Sequence, residues 1–277
     1  MQTMAESPDL QLKPGELRLF QDLMYREAGI RMADAKHNLV QSRLRQRLDA
    51  LGLASYRDYH SLVTSPGNEA EFQRCLEALT TNETFFFRHK QHWDCVLGQI
   101  IPEWKRTAAK GATFRAWSAA SSTGEEPYSL AIALDAALDG TSHAARVEAT
   151  DINTQVLARA KQGIYGSYAL QKLTPQCLKK YFQPLPDGDR HQVRDTIRQM
   201  VEFRSHNLLQ PSRGPAFDLI LLRNVLIYFD SDSKHVVLGH IAARLKPGAW
   251  LILGGAETLS GRTSEFSYVQ PATYRRN

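Results

Sequence analysis

One stretch constrains the fold of this chain more than any other: FRAWSAASSTGEEPYSLAIAL, from Phe114 to Leu134. It opens with Phe114 and Ala116 alternating into Trp117, passes through the small residues Ala119 to Gly124, and closes with Tyr128, Leu130, Ala131 and Leu134 at helical spacing. That order predicts a strand, a tight turn and a helix. Small side chains in such a turn let a ligand approach the backbone, and the N–H groups at the helix start attract polar or negative groups. Most strand–turn–helix units bind nothing, and a dinucleotide fingerprint has three glycines where this turn has Gly124 alone. What the turn does depends on the rest of the chain.

At 277 residues the chain can bury a full α/β core. No apolar run reaches the roughly 18 residues of a membrane span; Phe217–Phe229 is interrupted by Asp218, Arg223 and Asn224. The first ten residues lack the basic start and apolar stretch of a signal peptide. Cys75, Cys95 and Cys177 stand far apart, which argues against a disulfide framework and fits a cytoplasmic protein. The net charge of +5 is unevenly placed. Residues 1–90 hold twelve basic and twelve acidic side chains, whereas residues 158–213 hold ten basic against four acidic. The stretch Arg31–Arg57 carries six basic and two acidic groups. Each basic surface reads either as a solvated face or as a partner site for carboxylates or phosphates.

In chain order, residues 1–12 read as a disordered lead-in and 13–80 as a helical domain. Its four helices are expected from Pro14, over His37–Leu51 with Val40, Leu44, Leu48 and Leu51 on one stripe, around Tyr56–Val63, and over Glu69–Leu79. TTNETFFFR, Thr80–Arg88, then leads into a helix over Gln91–Trp104, making 81–110 a linker and connecting helix. The three phenylalanines read as plugging a seam between domains. Residues 111–277 read as an α/β domain, with an inserted β-subdomain at about 170–204 in which VRDTIRQMVEFR alternates as a strand or hairpin does. Near-continuous apolar runs at Phe217–Phe229 and in LKPGAWLILGG point to a parallel sheet covered on both faces.

Asp151 ends the short strand of ATDIN, 27 residues beyond Gly124. That is where nucleotide-binding folds bond ribose hydroxyls, although an acidic residue there also caps the next helix. No metal set stands out: His89 and His92 are three apart with no third ligand near, and read as helix surface. Ser121, Ser122 and Ser129 do not form a nucleophile elbow, and no P-loop is present. Nicotinamide cofactors and S-adenosylmethionine both suit what is left. Glu125 and Glu126 in the turn are poor company for pyrophosphate and good company for an ammonium and a sulfonium, which favours S-adenosylmethionine.

TTNETFFFR, WSAASSTGEEPYSLA, ATDIN, HNLL, LLRNVLIYF and LKPGAWLILGGAE occur in the order and spacing of the chemotaxis receptor methyltransferases, the CheR family, and the chain resembles that family over nearly its whole length. The resemblance implies a small N-terminal helical bundle and a Rossmann-like class I methyltransferase domain. It implies methyl transfer from S-adenosylmethionine to glutamate side chains of chemoreceptor cytoplasmic domains, by a monomer that acts on no nucleic acid. By position it implies cofactor contacts from Asn82, Thr84, Arg88, Glu125 (with Glu126 the alternative), Asp151, Asn207, Leu208, Asn224 and Val225. Arg88 is expected to orient a carboxylate and Tyr228 to wall the site; Arg43, Arg45 and Arg47 are expected to meet the acidic receptor. The insert resembles the family's β-subdomain, which in some members binds a receptor C-terminal pentapeptide. The loop PLPDGDRHQ lacks those members' glycine-x-glycine pattern, which argues against that tether. Two other classes fit less well: a nucleic-acid methyltransferase, for which the aromatic tetrad of base methylators is missing, and a catalytically silent scaffold.

Overall fold

The computed structural model describes residues 10–186, 188–259 and 264–277. The chain divides into two compact units. One runs to Thr81 and adds Tyr228–Asp230; the other comprises Asn82–Ile227 and Ser231–Asn277.

Among the described residues the first unit is built on four α-helices, α1 (Pro14–Ala28), α2 (His37–Leu51), α3 (Tyr56–Thr64) and α4 (Glu69–Leu79). Pro14 starts α1 where no intrahelical N–H is needed, the Glu16 carboxylate accepts the Lys13 N–H at 2.9 Å, and Gly29 ends the helix at φ 68°. Phe20, Leu23, Met24, Val40, Leu44, Leu48, Tyr56 and Tyr59 are fully buried and form the core. Two expectations change here. Leu12 is 2% exposed and its N–H donates to Gln41 Oε1, so the ordered chain begins before residue 13; residues 1–9 of the expected lead-in lie outside the described residues. Leu51 is 39% exposed and does not continue the α2 stripe, because the helix ends there, at Gly52.

The second unit begins with the linker and a helical run, α5 (Lys90–Cys95), a π turn (Val96–Ile100) and α6 (Ile101–Thr107). Then come β1 (Thr113–Ala119), α7 (Glu125–Leu138), β2 (Ala144–Asp151) and α8 (Thr154–Gln162). After the insert follow β6 (Val201–Ser205), β7 (Phe217–Leu222), α12 (Ser231–Arg244), β8 (Leu245–Leu253), β9 (Phe266–Gln270) and β10 (Thr273–Arg276). Seven strands form one sheet in the order β6-β2-β1-β7-β8-β10-β9. The first five are parallel, and β10 runs antiparallel to both neighbours. The winding goes outward from β1 to β2 and β6, then restarts on the other side of β1 with β7. Ligands in open α/β sheets bind at such a switch point, outside the carboxyl ends of the strands. β7 is buried at all six positions, the pattern of a strand covered on both faces.

The insert is a three-stranded antiparallel sheet, β3 (Ile164–Gly166), β5 (Arg190–Val193) and β4 (Phe182–Pro184), with short helices α9 (Ser167–Leu170), α10 (Pro175–Tyr181) and α11 (Asp195–Arg198). The hairpin expected through Val193–Arg204 does not form. Arg190–Val193 belongs to the small sheet, whereas Val201–Ser205 pairs in parallel with β2 at the edge of the large one. The alternation of buried Val201 and Phe203 with exposed Glu202 and Arg204 was legible, but a period of two does not name the partner strand.

The phenylalanines also correct an expectation. Phe86 is wholly buried within this unit, edge-on to Tyr165 at 4.9 Å and to Phe182 at 5.2 Å, and Phe87 stands edge-on to Trp93 at 5.2 Å. They fill the core of this second unit and the base of its insert. Among the described residues no helix is long and apolar enough to cross a membrane.

Candidate active site

Four strand ends and the linker converge at the switch point. The turn after β1 supplies the first wall. Ser122 is held at φ 50° by three contacts: its N–H donates to Asp151 Oδ2 at 2.8 Å, its hydroxyl donates to the Asn82 carbonyl at 3.0 Å, and the Ser121 N–H beside it donates to the Thr150 carbonyl. One residue thereby ties the β1 turn, the end of β2 and the start of the linker. Gly124 follows at φ 99°, where an added Cβ would lie 2.7 Å from Tyr165 Oη and 2.8 Å from Ala160 Cβ, so only glycine fits.

Among the described residues, six non-glycine positions have positive φ, and five belong to this region: Phe87, His89, Ala120, Ser122 and Asn224. Such backbone persists only where surrounding contacts enforce it, and it concentrates at binding sites.

The two turn glutamates have different fates. Glu126 accepts from Arg223 Nη1 at 2.8 Å and from the Ser118 hydroxyl at 2.7 Å. Arg223 in turn donates from Nη2 to the Arg88 carbonyl at 2.6 Å, which also accepts from Trp93 Nε1. The side chain of Arg223 is 2% exposed, so this is a buried strut from the end of β7 through the start of α7 to the linker. Glu125 is 5% exposed, and Thr123 Oγ1 donates to it at 2.7 Å. No cation pairs with it among the described residues. Burial pushes its carboxyl up to about 7, against smaller lowering contributions from the Thr123 hydroxyl and its own backbone N–H.

Asp151 is 7% exposed at the end of β2; besides Ser122, the Asn153 N–H donates to it, at 2.9 Å. Its pKa is raised by burial, with the backbone N–H bonds opposing. Helix α8 has its own cap, the Asn153 side chain accepting from the Val156 N–H, so Asp151 is not needed for that purpose. The His206 N–H donates to the Asp151 carbonyl at 3.0 Å, which brings Asn207 and buried Leu208 beside the end of β2. The Asn207 side chain accepts the Leu209 N–H.

At the end of β7, Asn224 turns left-handed at φ 59° and its N–H donates to Glu257 Oε2 at 2.8 Å. Glu257 also accepts the Gly254 N–H at 2.7 Å and the Ile227 N–H at 3.2 Å, so one buried carboxylate shapes both strand ends. Val225 is half-buried next to Asn224.

On the linker, the Phe87 N–H donates to Ser129 Oγ at 2.9 Å and the Phe86 N–H to the Ala169 carbonyl. Thr84 is half-buried, and Arg88 Nη1 donates to the Glu83 carbonyl at 3.0 Å with its guanidinium 5.8 Å from the Phe85 ring. His92 is 4% exposed rather than on a helix surface; burial first, then Arg223 and His89, push it down to about 4. His89 stands at φ 61°, so α5 begins from a sharp reversal that turns His92 inward.

The structure thus gathers Asn82, Arg88, Glu125, Asp151, Asn207, Leu208, Asn224 and Val225 around one switch point. Tyr228 groups instead with the helical unit, where Lys36 Nζ lies 5.0 Å above its ring and the Arg31 N–H donates to its carbonyl. Arg43, Arg45 and Arg47 are all half-buried on α2 and engaged: Arg43 with the Ala78 and Thr80 carbonyls, Arg45 with Asp49, and Arg47 bidentately with Glu71. Sequence reading did not pick out Ser122, Glu257 or the Glu126–Arg223 pair. The signal for the last was present, since a charged residue ending the apolar run Phe217–Leu222 needs a buried counter-charge.

A turn that admits backbone contact, a buried carboxylate lacking a cation and a second acid at the next strand end suit a cationic nucleoside. The unit is a class I methyltransferase domain that uses S-adenosylmethionine. The family model described as "CheR methyltransferase, SAM binding domain" matches residues 82–275, and "CheR methyltransferase, all-alpha domain" matches residues 15–80. The chain belongs to the CheR methyltransferase family. It is 41% identical over 263 residues to a chemotaxis protein methyltransferase of Salmonella typhimurium, covering 93% of this chain and 88% of that one. It is 37% identical to the chemotaxis protein methyltransferase of Escherichia coli K12, covering 93% and 89%. Among solved structures it is similar to a magnesium protoporphyrin IX methyltransferase of Synechocystis, with TM-score 0.37 and 16% identity over 85% of this chain and 94% of that one.

Proposed function

We propose that this chain forms methyl esters on glutamate side chains of chemoreceptor cytoplasmic domains. The observation that carries the reading is Glu125, a buried carboxylate without a cation beside a turn shaped for close approach. In its ionised form it holds the ammonium of the cofactor's amino-acid end, an attraction strengthened by the low local dielectric. Asp151 retains lone pairs for ribose hydroxyls after accepting the backbone N–H groups of Ser122, Ile152 and Asn153. Asn207–Leu208 and Asn224–Val225 flank the adenine, and Asn82, Thr84 and Arg88 close over the other side.

When bound, S-adenosylmethionine supplies a methyl group already activated on a sulfonium. The acceptor carboxylate is ionised at neutral pH, so no general base is required. What remains is placement, which can contribute on the order of 7–11 kcal/mol when two reactants are held in line. Arg88 orients the incoming carboxylate, and a wall that excludes water removes its competing solvation.

The named activity of the relatives supports the chemoreceptor as acceptor, and the basic face of α2 supports an acidic one. Incubation with labelled S-adenosylmethionine and either a receptor cytoplasmic fragment or RNA is the direct test. Base-labile label on the receptor fragment is expected, and Arg88→Ala is expected to abolish it while the fold persists. Label on RNA alone, or no transfer to either, would sink the reading.

A further inference from the structure

The linker from Asn82 to Arg88 and the insert belong to one compact unit and meet at the short helix α9. Two consecutive residues of α9 hold two points of the linker. The Tyr168 hydroxyl donates to Glu83 Oε1 at 3.1 Å, and the Ala169 carbonyl accepts the Phe86 N–H at 3.1 Å. Ala169 and Leu170 are buried and anchor the helix, whereas Tyr168 is 61% exposed and Glu83 is exposed beside it. A side chain so exposed gains little from burial; what Tyr168 contributes here is its hydroxyl.

Arg88 stands in the same group. Its Nη1 donates to the Glu83 carbonyl at 3.0 Å, so its reach extends to that residue. The Glu83 carboxylate raises the pKa of the Tyr168 hydroxyl, first through the hydrogen bond and then through its charge, and the Arg88 guanidinium opposes the rise. The three groups therefore lie within electrostatic reach of one another. Several arginines of this chain pair with an acid three or four residues away, as Arg45 does with Asp49, Arg74 with Glu71 and Arg198 with Asp195. Arg88 pairs with no carboxylate among the described residues. The acid nearest to it in sequence, Glu83, is turned onto Tyr168 instead.

We infer, resting on the role proposed above for Arg88, that Tyr168 is a positioning residue for methyl transfer: its hydroxyl holds the Glu83 carboxylate and so leaves the Arg88 guanidinium open to the acceptor carboxylate. A guanidinium fork takes a carboxylate bidentately, and a carboxylate on the same segment competes for it at an effective concentration on the order of millimolar. Released from Tyr168, Glu83 becomes a tethered competitor of the acceptor. Such competition weakens acceptor binding and leaves the chemical step alone, so it is read in KM and not in kcat.

Steady-state transfer from labelled S-adenosylmethionine to a chemoreceptor cytoplasmic fragment tests this with two variants of the full chain. One is Tyr168→Phe, which removes only an exposed hydroxyl; the other combines Tyr168→Phe with Glu83→Gln. The single variant should raise the KM for the fragment about threefold or more, the worth of one hydrogen bond, with kcat and the calorimetric Kd for S-adenosylmethionine unchanged. The double variant should bring the KM back to the parent's, because a neutral amide does not compete for a guanidinium. A hydroxyl that merely stabilised the insert would not be rescued in this way. An unchanged KM in Tyr168→Phe, or a KM that stays raised in the double variant, overturns the inference and leaves the proposed acceptor standing. A shift in the Kd for S-adenosylmethionine in place of the KM also overturns it, since Arg88 then serves the cofactor's carboxylate. Absence of transfer by the parent overturns the proposed acceptor and the inference with it.

Discussion

Arg223 Nη1 lies 2.8 Å from Glu126 Oε2, and this buried pair distinguishes two consecutive glutamates that the sequence presents alike. With Glu126 committed, Glu125 is the carboxylate that has burial without a cation. The pair also holds the Arg88 carbonyl, so the same contact that releases Glu125 fixes the linker beside it.

Removing one member of the pair strands a buried charge. Glu126→Ala is expected to destabilise the methyltransferase unit by about 3–5 kcal/mol. Glu125→Gln at pH 8 should leave it as stable as the parent or more so, because it deletes a buried charge that has no partner. Urea unfolding followed by tryptophan fluorescence reads this unit alone, since all four tryptophans, Trp93, Trp104, Trp117 and Trp250, belong to it.

Glu125 also sets a pH dependence. Its carboxyl rises in the folded protein to about 7. Between the unfolded value of about 4.5 and 7, the folded state binds the proton more tightly. The contribution to stability is therefore full below about 4.5 and lost as the pH rises through 7, on the order of 3 kcal/mol from this group. With Glu125 in its proposed role, cofactor binding needs the ionised form and runs the other way. Affinity for S-adenosylmethionine should strengthen up to tenfold per unit from pH 5.5 to 7 and then level off, with proton release seen as buffer-dependent heat. Glu125→Gln should bind weakly and without this slope; an unaltered slope would remove Glu125 from the site.

At the end of β8, two neighbouring glycines should respond differently to the same change. A Cβ on Gly254 would lie 2.6 Å from Glu257 Oε2 and 2.8 Å from the Asn224 backbone nitrogen. A Cβ on Gly255 would meet only the His89 ring, at 3.5 Å, an ordinary contact. Gly254→Ala should displace the Asn224 turn and weaken cofactor binding at least tenfold by calorimetry, whereas Gly255→Ala should bind near normally.

The arginines of α2 separate stability from docking. Arg47 makes two hydrogen bonds, at 2.8 and 2.7 Å, to Glu71, a carboxylate that is 8% exposed and also accepts from Tyr59 and Arg74. Arg47→Ala should cost the helical unit about 1.5–3 kcal/mol. Arg45 pairs with exposed Asp49 one turn away, an interaction of about 0.3–0.5 kcal/mol. Arg45→Ala should therefore leave thermal unfolding by circular dichroism nearly unchanged while lowering methyl transfer to a receptor fragment. Undiminished transfer would remove Arg45 from the docking face.

The helices of the first unit and the strand–turn–helix of the second were legible because each carries its own period and its own boundary, Gly29 and Gly52 ending helices and Gly124 starting one. Asp151 was legible from its distance to the turn. The edge strand Val201–Ser205 was misassigned to the insert because its partner, β2, lies about fifty residues earlier and leaves no local trace. The choice between Glu125 and Glu126 could not be read either, since it rests on Arg223, 97 residues beyond Glu126. Ser122 and Glu257 escaped notice because they bond largely to backbone N–H and carbonyl groups, which every residue has.

Phe86 has a consequence for how the insert can be exchanged between proteins. Its ring is enclosed by Tyr165 and Phe182, at the two ends of the insert's first strand and short helices, and its N–H is held by Ala169 between them. A graft of residues 164–199 into another scaffold would leave an aromatic-sized void unless the segment around Phe86 travelled with it. The insert is contiguous in the gene but not in its packing, and its smallest transferable form is two pieces of chain.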